Sequence, residues 1–212
     1  VGSEMCIRDR KGSHLIVVLS PNLTAHALAE PGFLPYGESL MRYCRENDIP
    51  CFNFQYAKAE YLQNLDGYYY DLYHMNGTGA DLFSAFFARF FNAYTSGEDV
   101  SGWFYADQAQ YLASIDRITN VWLSVGEGVY IADCNRGTLI TPQYRFVSVA
   151  TDGTETTLLD DGESDTISAA LVPDGETLRV YAVPKGQENA VSVWYDLSER
   201  SPTVSYTHLT LP

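Results

Sequence analysis

The chain has 212 residues, enough for one large domain or two smaller ones with their own cores. Its composition, 46% hydrophobic and 19% charged, is typical of a folded globular protein and excludes a mainly disordered chain. The net charge is −14 and the thirteen Lys and Arg residues are scattered, which argues against a nucleic-acid partner, since such proteins cluster basic residues against phosphates. No apolar run approaches the ~20 residues that span a bilayer.

The first ten residues show no helical or strand periodicity, and the last segment, residues 201–212, follows a natural end of the strand domain. Both resemble peptides translated from sequencing-adapter read-through at the ends of environmental assemblies, and ordinary tails are the alternative. We therefore expect both segments to lie outside the fold and assign them no function. Read-through at the start would also mean that the gene lacks its true beginning.

Residues 11–97 are predicted to form an α/β unit. An apolar strand at residues 14–19 is followed by a helix over residues 35–47 and a second strand at residues 51–54, the order of a β-α-β unit with parallel strands. A further helix is predicted over residues 80–94. Its aromatic side chains recur every three or four positions, which predicts one face packed in the core: Phe83, Phe86, Phe87, Phe90, Phe91 and Tyr94.

Residues 98–117 are predicted to connect this unit to an all-β domain at residues 118–198. Short strand-like runs in the second domain are separated by turns that carry Asp-Gly or Lys-Gly dipeptides. This pattern predicts a small antiparallel β-sandwich, similar to the immunoglobulin-like modules appended to bacterial surface enzymes. The strands are expected at residues 118–125, 129–134, 144–150, 156–159, 166–171, 177–183 and 190–195.

The four cysteines, Cys6, Cys44, Cys51 and Cys134, show no C-x-x-C spacing, which argues against zinc and thioredoxin-type sites. Cys44 and Cys51 flank the predicted turn from helix to strand. A disulfide and two buried thiols both fit this placement, and we expect thiols. No metal or cofactor is expected from the sequence.

The segment from Asp71 to Ala80, Asp-Leu-Tyr-His-Met-Asn-Gly-Thr-Gly-Ala, places a carboxylate three residues before a histidine and leads through glycines into the predicted helix. A carboxylate on one imidazole nitrogen fixes the tautomer and lets the other nitrogen take a proton from a serine. Asp71 and His74 are therefore candidate orienting and base groups. The alternatives are a turn-capping carboxylate and a partly buried loop histidine. His14 and His26 have no acidic neighbour and are expected to be structural or exposed.

This segment resembles the last block of the SGNH (GDSL-type) hydrolases, in which Asp-x-x-His-Leu-Asn precedes a Gly-Ala helix start. Met75 stands where leucine is usual, a change that keeps the volume. The likeness covers roughly residues 13–94 and is strongest to Firmicutes-type members related to acyl-transferring cell-envelope proteins. It implies a three-layer flavodoxin-like α/β domain with His74 as general base and Asp71 as its partner.

The resemblance further implies an ester hydrolase or acyltransferase that acts, outside the cytoplasm, on acylated carbohydrate or cell-envelope polymer. In that family a Gly-Asp-Ser nucleophile and oxyanion residues precede the Asp-x-x-His block, yet residues 1–70 contain no Gly-Asp-Ser. Asn22 is a weak oxyanion candidate, and a loop-capping role is expected for it instead. We therefore expect residues 11–97 to be the C-terminal part of the hydrolase domain, inactive alone.

The alternative function is that of a non-catalytic cell-surface adhesion or carbohydrate-binding protein whose β-domain does the work. A Gly-Asp-Ser upstream of the present sequence separates the two hypotheses, because a binding protein has no need of a nucleophilic serine. The sequence leaves the oligomeric state, the acyl group and the acceptor open.

Overall fold

The chain is described here by a computed structural model that covers residues 14–187 and 192–197. The segments 1–10 and 201–212, and the first residues of the strand predicted from residue 190, lie outside this range. The described chain contains helices together with parallel and antiparallel sheets. It divides into two compact units between Tyr111 and Leu112, within the segment expected to connect the domains.

The first unit contains a parallel pair of short strands, β1 (Val17–Leu19) and β2 (Cys51–Asn53). Two helices lie between them in sequence, α1 (Thr24–Ala29) and α2 (Phe33–Glu46). The parallel pair and the helix before β2 agree with the predicted β-α-β order, and α2 begins two residues earlier than expected. Parallel strands need such a crossover connection, because a tight turn can join only antiparallel strands.

An aromatic core forms between β2, the turn that follows it, and α3 (Gly77–Thr95). Phe54 lies at its centre, with the rings of Phe86 and Phe90 edge-on at centroid distances of 5.5 and 5.0 Å. Phe91 was assigned to the same face, but its side chain is 43% exposed. Each four-residue step turns about 40° beyond a full helical turn, so the series 83, 87, 91 drifts off the buried stripe.

Residues 98–111 belong to the first unit and do not act as a free connection. Val100 is buried, and Trp103 stacks on Tyr61 with ring centroids 4.9 Å apart. Phe104 lies edge-on to Phe54 at 5.4 Å, so this segment completes the aromatic core. The last helix, α4 (Gln108–Ser114), begins in this unit.

The second unit contains two antiparallel sheets. The first has the order β3-β4-β7 and comprises β3 (Ile118–Val125), β4 (Val129–Arg136) and β7 (Thr166–Ser168). The second has the order β6-β5-β8-β9 and comprises β5 (Pro142–Val149), β6 (Glu155–Leu159), β8 (Thr177–Pro184) and β9 (Val193–Asp196). A strand is present at each of the predicted runs, and the run at 166–171 ends early in a 3₁₀ turn, Ala169–Leu171.

The two sheets share one hydrophobic core. Along β8 the buried positions alternate with half-buried ones, as expected for a strand with one face inward. Phe146 of β5 and Val180 of β8 are fully buried, and they belong to the same cluster as Leu123 of β3. The periodicity of two in the sequence therefore places apolar side chains of both sheets in one interior.

Replacing Phe54 with alanine is predicted to lower the free energy of unfolding of the first unit by about 3–5 kcal/mol, because a buried ring and its edge-on partners are lost. Phe91→Ala is the matched control, with an expected loss under about 1 kcal/mol, since that ring is partly in solvent. Urea unfolding followed by NMR signals of residues 14–111 measures both. Equal losses for the two variants would contradict the core described here.

Candidate functional site

The Asp71–His74 segment forms the tip of a short hairpin. The backbone N–H of Asn76 donates to the carbonyl of Tyr68 at 2.9 Å, and that of Tyr70 donates to the carbonyl of His74 at 2.8 Å. Between these two bonds Tyr69 and Met75 form an antiparallel bridge. The paired backbone fixes the direction in which the tip leaves the body of the unit.

Asp71 and His74 are in direct contact. The imidazole Nδ1 of His74 lies 2.9 Å from each carboxylate oxygen of Asp71. The Oδ1 oxygen also accepts the backbone N–H groups of Tyr73 and His74, each at 2.8 Å. The carboxylate thus caps the turn and binds the imidazole at the same time, so the two interpretations of Asp71 are compatible.

The electrostatics of the pair favour an ionised carboxylate. The backbone N–H of Tyr73, and next the imidazole of His74, lower the pKa of Asp71 below its ordinary value. When the imidazole is neutral, an ionised carboxylate accepts the Nδ1 proton and leaves Nε2 as the basic nitrogen. The side chain of His74 is 75% exposed, and no described residue hydrogen-bonds to Nε2. The arrangement can therefore accept a proton from an incoming group.

The start of α3 holds the hairpin in place. The Asn76 side chain caps the helix, with Oδ1 accepting the Gly79 N–H at 2.9 Å, and its Nδ2 donates to the Gly67 carbonyl at 2.7 Å. Gly79 is buried, and a side chain there would overlap the carbonyl oxygen of Tyr68. Glycine at this position therefore allows the helix to approach the hairpin closely.

The structure adds a contact that the sequence did not indicate. His26 of α1 is 5% exposed, and the ring of Tyr73 packs edge-on against it with centroids 4.6 Å apart. Phe33 also packs edge-on against His26, at a centroid distance of 5.5 Å. His26 thus supports the residue that precedes His74, while His14 lies exposed before β1. Because the His26 contact joins segments distant in sequence, no local pattern reveals it.

Asn22 precedes α1 but does not cap it. The N-cap residue of α1 is Leu23, and no side chain caps that helix. The backbone of Asn22 is held by side chains, with its N–H donating to Gln55 Oε1 at 2.7 Å and its carbonyl accepting from Asn64 Nδ2 at 2.9 Å. Nothing in these contacts assigns the Asn22 side chain to an oxyanion site.

The cysteines and acidic residues form no second reactive centre that we could identify in the described ranges. Cys44 is buried and Cys51 half-buried, and both are thiols. Burial, with a further contribution from Cys44, raises the pKa of Cys51 to about 12, so a thiolate nucleophile is disfavoured.

Across residues 14–187 and 192–197 no group of three or more His, Cys, Asp or Glu residues is placed to hold a metal ion. No helix of the described part is long and apolar enough to cross a membrane.

Comparisons of the chain with protein-family models, with curated proteins and with solved structures gave no match. What the site does must therefore be inferred from the chemistry of Asp71, His74 and the residues around them.

The pKa of Asp71 is predicted to rise only part of the way to the ordinary value in a His74→Ala variant, because the backbone N–H of Tyr73 is the largest cause of the lowering. Since the pKa is depressed in the folded state, the stability that Asp71 gives the hairpin is present above about pH 4 and lost as pH falls through the lowered pKa.

Carboxyl ¹³C NMR during a pH titration measures this pKa. Asp161 is the internal control, because backbone N–H groups of Ser164 and Glu163 lower its pKa without any histidine. The Asp161 midpoint should not move in the variant. A full return of Asp71 to the ordinary value would show that the imidazole, and not the turn, dominates.

Proposed function

We propose that the first unit is part of an SGNH-type ester hydrolase or acyltransferase domain, with His74 as general base and Asp71 as the group that orients it. The observation that carries this proposal is the contact of both Asp71 oxygens with His74 Nδ1 at 2.9 Å, with the imidazole exposed. The parallel β-α-β order and the Asn76–Gly79 helix start support it, because they match the resemblance of the sequence beyond the Asp-x-x-His spacing.

In the proposed reaction a serine Oγ attacks the ester carbonyl while Nε2 of His74 takes its proton. The new Oγ–C bond forms the acyl-enzyme as the bond to the leaving alcohol breaks, and His74 returns the proton to the alcohol oxygen. Asp71 keeps the Nδ1 proton in place and stabilises the imidazolium. Water or an acceptor alcohol then takes the acyl group by the same steps in reverse.

We propose that the serine and the oxyanion donors lie in sequence N-terminal to β1, since residues 1–70 contain no Gly-Asp-Ser. In the described residues the parallel sheet has two strands, β1 and β2. Leu15 and Val18 are 47% and 36% exposed, although they are apolar residues at or beside β1. Further strands of a flavodoxin-like sheet would cover them.

We propose that the substrate is acylated carbohydrate or cell-envelope polymer and that the protein acts on it outside the cytoplasm. Tyr70 directly precedes Asp71 and Tyr73 directly precedes His74, with 84% and 60% of their surfaces exposed, and such rings can stack on sugar faces. Residues 14–111 contain eleven Asp and Glu but four Lys and Arg, which disfavours a polyanionic substrate. The extracellular location rests on the resemblance and on the appended β-domain.

One observation favours the alternative of a carbohydrate-binding protein. A cavity of about 500 Å³ on the second unit is lined by Trp122, Asp133, Glu163 and Asp165, with Arg136 beside them. An indole ring with carboxylates suits sugar hydroxyls, and the volume is in the range of small-molecule sites. The hydrolase is preferred, because this cavity could equally serve as the accessory binding site of an enzyme.

His74→Ala is predicted to lower the turnover of p-nitrophenyl acetate by roughly 10³-fold or more in a protein expressed from the gene together with its upstream coding sequence. Asp71→Asn should also lower turnover strongly, because it favours the wrong tautomer. His14→Ala is the control, since His14 is exposed and remote in sequence from the motif. The 212-residue chain alone should show no turnover above background.

An unchanged rate in His74→Ala would show that His74 is not the base. Upstream sequence without a nucleophilic serine would remove the enzyme proposal altogether and leave the binding protein as the better hypothesis.

A further inference from the structure

A continuous line of hydrogen bonds runs beside the segments that follow β1 and β2. Gln55 Nε2 donates to the hydroxyl of Tyr111 at 2.6 Å, and Gln55 Oε1 accepts the backbone N–H of Asn22 at 2.7 Å. Asn64 Nδ2 donates to the Asn22 carbonyl at 2.9 Å, and Asn64 Oδ1 accepts the hydroxyl proton of Tyr69 at 2.6 Å. We call these five residues the polar relay.

The relay has a fixed direction. The Asn22 carbonyl can only accept, so Asn64 must present its amide nitrogen to Asn22 and its oxygen to Tyr69. Burial raises the pKa of Tyr69 above its ordinary value, so the hydroxyl keeps its proton at neutral pH and donates. Gln55 is 3% exposed, and a broken bond would leave a buried polar atom without its partner. Each hydrogen bond of the polar relay therefore helps to fix the orientation of the next side chain.

The end of the relay lies next to the candidate base. Tyr69 forms the antiparallel bridge with Met75, and Met75 follows His74 directly in the chain. The hairpin has two other side-chain attachments, the cap by Asn76 and the contact of Tyr73 with His26. Of these three attachments, the one through Tyr69 reaches Asn22 by hydrogen bonds, whereas Tyr73 reaches α1, which also follows β1, by a ring contact.

We propose that the polar relay couples the segment after β1 to the hairpin, and that Asn64 and Tyr69 are positioning residues for His74. The catalytic consequence rests on the proposed function, because loops at the carboxyl ends of parallel strands are where α/β enzymes place their sites. The coupling itself is a property of the 212-residue chain and is testable without any activity.

The test is amide hydrogen exchange by NMR in the full chain with Tyr69→Phe, which removes one hydroxyl and keeps the ring. Loss of a hydrogen bond worth about 1 kcal/mol corresponds to a roughly fivefold rise in the exchange rate of the bonded Tyr70 N–H. The Asn22 N–H should also exchange faster, although Tyr69 has no direct hydrogen bond to Asn22. Tyr94→Phe is the matched control, because Tyr94 stacks on Phe90 in the aromatic core.

Asn64→Asp separates the two halves of the relay. The aspartate still accepts from Tyr69 but has lost the donor to the Asn22 carbonyl, so the Asn22 N–H should exchange faster and the Tyr70 N–H should change less. Adding Tyr69→Phe to Asn64→Leu should cause no further rise, because both changes remove the same bond.

Unchanged exchange of the Asn22 N–H in Tyr69→Phe would overturn the proposal. So would an equal rise at the Lys58 N–H, which binds the Trp103 carbonyl in the core, because Tyr69 would then contribute to global stability alone. Neither result bears on whether His74 is a base. Conversely, an inactive serine-containing enzyme with normal coupling would refute the proposed function and leave the relay standing.

Discussion

The carboxylate of Asp71 is the interaction on which the candidate site depends. It accepts two backbone N–H groups at the tip of the hairpin and the Nδ1 proton of His74. One group therefore sets both the shape of the turn and the tautomer of the imidazole. The pair lies in solvent, so water and salt screen its Coulomb energy. The contact therefore matters to the site mainly because it orients the imidazole.

The rest of the first unit holds this geometry in place. The aromatic core around Phe54 holds α3, and the first turn of α3 holds the hairpin through Asn76 and the close approach of Gly79 to Tyr68. The polar relay adds a further attachment of the hairpin, through the hydrogen bond of Tyr69 to Asn64. A rigid helix start beneath a short hairpin is a suitable support for a proton-transfer group, since small displacements of such a group cost rate steeply.

The features that the sequence predicted well depend on neighbours in the chain. The strands of the second unit follow from alternating apolar residues and Asp-Gly turns, and the Asp71–His74 contact follows from a spacing of three. The contacts that the sequence did not indicate join distant segments. Asn22 binds Gln55 and Asn64, which are 33 and 42 residues away, so its role is invisible in the local sequence. The same holds for Phe104, which joins the core from a segment that resembles a connection.

The tautomer of His74 shows whether Asp71 orients the imidazole. A neutral histidine side chain in water favours the proton on Nε2, whereas donation to the ionised Asp71 carboxylate requires it on Nδ1. Long-range ¹H–¹⁵N NMR of the full chain above the pKa of the ring distinguishes the two forms. We predict mainly Nδ1–H for His74, with reversal in Asp71→Asn. A predominance of Nε2–H in the unmodified chain would contradict it.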